Sequence, residues 1–255
     1  MEILIGLITG LLIGLTGTGG GVMLTPLLML LTPFPTVTII GTGLLTGAAT
    51  KLVGAVEHRR LGQVHMKLAL WLIGGSVPGV LAGVWVFQYL QRTFPVAELE
   101  TLLEGLLAVT LIVVAVLLPF VGWRRKEKAE NETEVRLQGR EFSFLAAGAT
   151  VGFLVTLTSV GSGSLMMAFL LLLVPLPISK LVGTDIVFGL ATMVVAGASY
   201  VWMQHFDGGL FLKLILGSVP GVIIGSRLTR WLPEVSFRWI FSLLYFSLGT
   251  KLLVG

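Results

Sequence analysis

The chain has 255 residues, a formal net charge of +4, no cysteine, and 55% hydrophobic against only 12% charged residues. Soluble domains carry about 25% charged residues, so this balance belongs to an integral membrane protein. The lack of thiols excludes disulfides, thiolate metal sites and cysteine catalysis, and basic residues flanking apolar runs read as membrane-surface anchors, not a nucleic-acid footprint.

In chain order, the first half carries apolar segments at 3–31, 37–57, 68–90 and 99–121, and the second at 142–173, 180–201, 210–230 and 236–254. Several approach or exceed the ~20 residues that a spanning helix needs, and they continue to the C-terminus, unlike a single cleaved signal. The stretch 122–141 mixes charges of both signs without an apolar face, so it is expected to be a solvated cytoplasmic linker between a first repeat, 1–121, and a second, 142–255. The halves are copies of one unit. Compared with the residue 142 places later, 28 of the 74 positions from Gly10 to Gly83 are identical without a gap. Pro33 and Pro35 meet Pro175 and Pro177, Gly41-Thr42 meets Gly183-Thr184, and SVPGV at 76–80 recurs at 218–222.

Two stretches interrupt the apolar pattern at matching places: GLTGTGGGVMLTPLL (14–28) and TLTSVGSGSLMMAFL (156–170). If all eight segments cross the membrane, with the N-terminus inside, ten Lys/Arg fall in internal loops and five in external ones. If the first segment of each half turns back at its glycine cluster, three crossings per half remain. The second half is then inverted, and the count becomes thirteen against two, with Lys51 and Lys251 inside helices. The positive-inside rule favours the second arrangement. The expected fold is an all-α integral membrane protein of two inverted repeats. Each is a glycine-broken re-entrant hairpin plus three transmembrane helices, with both termini outside.

Non-helical backbone persists within hydrocarbon only where protein or a water-filled cavity surrounds it, and in transporters built from inverted repeats such breaks hold the substrate. A half-helix N-terminus offers N–H groups and partial positive charge to an anion. Gly17, Gly19, Gly20, Gly21, Gly161 and Gly163 let backbone approach a ligand, while Thr16, Thr18, Thr158, Ser159, Ser162 and Ser164 supply hydroxyls. The competing reading is that these small residues only allow helices to pack closely.

Ionisable residues inside spans are candidates for function. Lys51 shares a helix face with Gly43, Gly47 and Gly54, and Asp185 opens the equivalent segment of the second half. In the inverted arrangement both lie roughly 9–10 Å from the same membrane face. They either form an intramembrane ion pair or act separately, Lys51 snorkelling to the surface and Asp185 capping its helix. Thr42 and Thr184, paired by the repeat, complete the candidate substrate-binding set. His58, His65 and His205 fall at or beyond helix ends and read as interfacial, with proton transfer as the alternative. The Pro78-Gly79 and Pro220-Gly221 pairs are candidate hinges.

GTGGGV lacks the third glycine of a dinucleotide fingerprint, since Val22 stands there, and no GxxxxGK[ST] is present. A serine nucleophile at 161–164 has no histidine within a span to act as base. No enzymatic activity, cofactor or metal is expected.

The GTGGG-x4-P pattern at 17–26, the GTG...TKL segment, the SVPGVLAG run and their echoes in the second half resemble the TauE/SafE family over essentially the whole chain. The resemblance implies a secondary transporter, by expectation an exporter, of small sulfur-containing anions such as sulfite or sulfoacetate in a prokaryotic inner membrane. The expected partners are the anion and the bilayer, with protons one candidate for a coupling ion and a homo-oligomer one candidate assembly; the residues themselves select neither. The second copy, SVGSGSLMMA, lacks the glycine triplet and the proline that Pro26 supplies, so the half-sites are unequal. The alternatives are a passive anion channel, a divalent metal transporter and an intramembrane hydrolase.

Overall fold

The computed structural model describes residues 1–16, 21–123, 139–228 and 234–254. These form ten helices and no strand: α1 Glu2–Thr16, α2 Gly21–Leu31, α3 Thr36–Arg60, α4 Met66–Thr93, α5 Val96–Trp123, α6 Glu141–Thr158, α7 Ser164–Leu173, α8 Ile178–Trp202, α9 Gly208–Leu228 and α10 Glu234–Val254. Six of them, α3, α4, α5, α6, α8 and α9, are long and apolar enough to cross a membrane. The protein is a multi-pass membrane protein, and the second glycine cluster falls between α6 and α7, as the sequence predicts. The second break is unequal: α6 has 18 residues and α7 has 10, or roughly 27 and 15 Å of helix. Most of the linker, 124–138, lies outside the described residues.

Proline and glycine set the helix ends. Pro35 and Pro177 precede α3 and α8 with φ of −56° and −52°, preset for a helix start and lacking the N–H that would continue the helix before. After α3 the chain turns through Gly62 in the left-handed region, φ 66°, and after α8 through its repeat mate Gln204, φ 63°. Pro78 and Pro220 interrupt neither α4 nor α9. The glycines that follow them bring backbones together instead. A Cβ on Gly79 would meet the Ala149 carbonyl of α6, and one on Gly221 would meet the Leu7 carbonyl of α1.

The same offset of 142 governs the packing. α4 lies parallel to α6 through Gly75 against Leu145 and Gly79 against Ala149; α9 lies parallel to α1 through Gly217 against Ile3 and Gly221 against Leu7. α3 and α8 cross antiparallel: Gly47 faces Met193, Lys51 faces Gly189, and Gly54 faces Ile186. α5 and α10 are antiparallel too, with Ser242 Oγ donating to the Ala115 carbonyl at 2.6 Å and Gly249 packed against Ala108. Both arms of the second break, Thr150 and Leu154 from α6 and Leu165, Phe169 and Leu172 from α7, line one apolar groove of about 290 Å³ with α5. Were α7 a straight continuation of α6, Leu172 would lie roughly 27 Å beyond Leu154.

Candidate functional site

The site is built where the second break meets the α3–α8 crossing. α6 ends because Ser159 turns left-handed, φ 59°, while its N–H still bonds the Val155 carbonyl at 2.8 Å. Gly161 follows at φ 116°, a conformation that side chains with a Cβ rarely adopt. The Thr158 hydroxyl is absorbed by its own turn, donating to Leu154 O at 2.7 Å and accepting from the Val160 N–H at 3.2 Å. α7 then starts from Gly163 without a side-chain cap.

Lys51 reaches this break. Its Nζ donates to the Ser162 carbonyl at 2.8 Å and stands 3.7 Å from Asp185 Oδ2, an ion contact longer than a hydrogen bond. Both side chains are 3% exposed. Lys51 does not snorkel, and Asp185 does not cap its helix, because α8 begins at Ile178, two turns earlier. Gly189 makes the contact possible: a Cβ there would collide with Lys51 Nζ and come within 2.8 Å of the Ser162 carbonyl. Taking two charges out of water costs several kcal/mol per ion, so a pair this dry is weak evidence for stability and better evidence for a function.

Among the described residues, several buried polar atoms here have no hydrogen-bond partner: Asp185 Oδ1 and the hydroxyls of Thr25, Ser159 and Ser164. Orphaned groups of this kind are rare in a settled core. Thr25 Oγ1 and Ser159 Oγ flank Gly43, at 3.2 and 3.3 Å from where its Cβ would be. Gly43 is the repeat mate of Asp185, so the crossing is charged on one side of its centre and lined by free hydroxyls on the other.

Lys51, Ser162 and Asp185 therefore come together, with Gly161 and Gly163 bounding the turn that carries Ser162. Ser159 faces Gly43, and Ser164 opens α7. Thr42 and Thr184 are engaged elsewhere: Thr42 Oγ1 accepts from the Asp207 N–H at 3.1 Å, and Thr184 Oγ1 from the His65 N–H at 3.0 Å. Each clamps a loop of the opposite half onto its helix, and the two clamps are repeat mates. Thr16 ends α1 and Gly21 opens α2, while Gly17, Thr18, Gly19 and Gly20 lie outside the described residues. Sequence reasoning missed Gly189 and Thr25. The first was legible as the mate of Gly47 on the Lys51 face, the second as a lone hydroxyl in an apolar helix.

A helical multi-pass membrane protein whose broken helix abuts a dry, isolated ion pair has the architecture of a membrane transporter. The chain belongs to the TauE/SafE family: residues 2–252 match the family described as Sulfite exporter TauE/SafE. It is 32% identical, over 98% of both chains, to "Probable membrane transporter protein YjnA" of Bacillus subtilis (strain 168). It is 28% identical, over 92% of both, to "Probable membrane transporter protein YdhB" of the same organism. No solved structure matches it.

Proposed function

We propose that this protein is a secondary transporter that exports a small sulfur-containing anion, such as sulfite or sulfoacetate, across a prokaryotic inner membrane by alternating access. The observation that carries the reading is Lys51: a fully buried cation, lodged against the backbone of a broken helix, with one carboxylate beside it and free hydroxyls nearby. An anion entering between Lys51 and Asp185 would meet the ammonium, the α7 N-terminus and the Ser164 hydroxyl. The family's description as a sulfite exporter supports the substrate class.

Alternating access follows from the inverted-repeat reading. An antiparallel α3–α8 crossing requires an even number of membrane crossings between α3 and α8, and the antiparallel α5–α10 pair requires the same of its interval. Eight simple spans would make both pairs parallel. A re-entrant hairpin at α6–α7 leaves that even count and agrees with the apolar groove its two arms share; together with its repeat mate at α1–α2 it gives the thirteen-to-two charge distribution. One half rocking against the other would then open the crossing to either side, with the linker at 122–141 on the cytoplasmic face.

The test is thermal stabilisation of the purified protein by sulfite, sulfate, thiosulfate, sulfoacetate, taurine and acetate. A ligand at 100 times its Kd stabilises by about 2.7 kcal/mol. Sulfite or sulfoacetate is expected to raise Tm, and Lys51→Ala to abolish the rise. A rise produced by a divalent cation and by none of the anions overturns the reading. Flux that never saturates favours a channel.

A further inference from the structure

The two buried charges must stay balanced through any transport cycle, and few groups are placed to balance them. On α3, Glu57, Arg59 and Arg60 are exposed in the last turns, and His58 is held by Gln63 Oε1 at 2.8 Å. On α8, Lys180 is exposed near the start, and the Tyr200 hydroxyl is spent on the Thr156 carbonyl at 2.9 Å. The elements packed against these two helices add Lys67 and Arg92 at the exposed ends of α4, Lys213 at the exposed start of α9 and Glu141 at the first residue of α6. On α5, Glu98 is exposed, while Glu100 and Glu104 bond Thr36. α2 and α7 carry no charge. Among the described residues, then, Lys51 has Asp185 alone as its counter-charge, and Asp185 keeps one carboxylate oxygen, Oδ1, without any partner.

A singly charged anion arriving at Lys51 would leave one negative charge uncompensated in a low-dielectric site, at a cost of several kcal/mol. A proton on Asp185 removes that cost. We infer that Asp185 is the proton carrier and that each monoanion crosses with one proton, so that the cycle moves no net charge. Unloaded, the site holds Lys51⁺ and Asp185⁻. Loaded, it holds Lys51⁺, the anion and Asp185 as a neutral acid. The proton comes from water on the side where the anion enters, forms an O–H bond at the carboxylate and leaves to water on the far side with the anion, restoring the pair. Export is then driven by the outward anion gradient, is indifferent to membrane potential and is opposed by an acidic exterior. The inference rests on the transporter reading and fixes its coupling.

The test uses the full chain in proteoliposomes with radiolabelled methanesulfonate, a monoanion throughout the pH range used, and sulfite as second probe. Potential is clamped by valinomycin and potassium. One coupled proton per anion makes an exterior one pH unit more acidic concentrate methanesulfonate about tenfold inside, whatever the clamp. Asp185→Asn keeps Lys51 but removes the proton carrier, so accumulation should ignore pH and follow potential, tenfold for about 59 mV inside-positive. Wild-type accumulation that follows potential and ignores the pH gradient overturns the inference while leaving the transporter standing. Wild-type vesicles that move neither probe overturn the transporter reading, and the coupling with it. The wild-type arms decide the matter even if the variant does not fold.

Discussion

At one end of the α3–α8 crossing Lys51 lies over Gly189; at the other, Met193 lies over Gly47 with its sulfur 2.8 Å from where a Cβ would stand. These are the same two positions, exchanged between the halves by the 142-residue offset. In one half the long side chain is an ammonium that finds a backbone carbonyl and a carboxylate. In the other it is a thioether packed against helix, and the place corresponding to Asp185 is Gly43. The backbone frame tolerates both fillings. Geometry therefore follows from the duplication, and chemistry from where the duplication has been broken.

The largest expected effect comes from undoing that break. Lys51→Met or Asp185→Gly alone strands one buried charge, and each is expected to cost about 3–5 kcal/mol. The double variant installs what the other half already carries at both places. It should recover to within about 1–2 kcal/mol of wild type, the remainder reflecting glycine inside a helix, while losing all anion-induced stabilisation. Denaturation of the four proteins as a double-mutant cycle measures the coupling, and strictly additive losses would show that the pair does not interact.

The glycines under the two long side chains should be next. In Gly189→Ala the new Cβ presses on Lys51 Nζ and on the Ser162 carbonyl, which is backbone and cannot easily retreat. A loss of about 1–3 kcal/mol is expected, together with loss of the sulfite-induced rise in Tm. In Gly47→Ala the Cβ presses on the far end of Met193, whose flexible thioether can swing aside. That change should cost under about 1 kcal/mol and keep the response to sulfite. Equal losses in the two variants would mean that Lys51 is no more constrained than Met193.

The sequence carried the frame well. The glycine and proline register announced the duplication, and the placing of Lys and Arg argued for inversion before any helix direction was known. Lys51 and Asp185 stood out because a charge in an apolar helix is costly. What stayed hidden were contacts made by backbone. The Ser162 carbonyl that holds Lys51 has no signature in residue type. Thr42 and Thr184 looked like substrate ligands, yet their hydroxyls accept from loop N–H groups, because a hydroxyl reads alike in sequence whether it serves a ligand or a main chain.

The smallest difference between the halves lies in the loops that follow α3 and α8. Gln63 and His205 are mates: the Gln63 carbonyl packs on Gly183, and the His205 carbonyl on Gly41. Only the second titrates. His205 Nε2 lies 2.9 Å from the Gln91 amide nitrogen, which donates, so the ring must accept there and be neutral. Partial burial, against Phe87 and Tyr200, holds its pKa below the ordinary value. A depressed histidine contributes stability that is complete above the unfolded pKa, about 6.5, and is lost as pH falls below it, since the unfolded chain then binds the proton more readily. His205→Gln, which copies the first half into the second, should flatten this dependence. Because the ring is partly solvated, the gap in Tm between wild type and variant should grow by only ~1–2 °C between pH 7.5 and pH 5. A gap independent of pH would place the acid sensitivity elsewhere, with Asp185 the next group to examine.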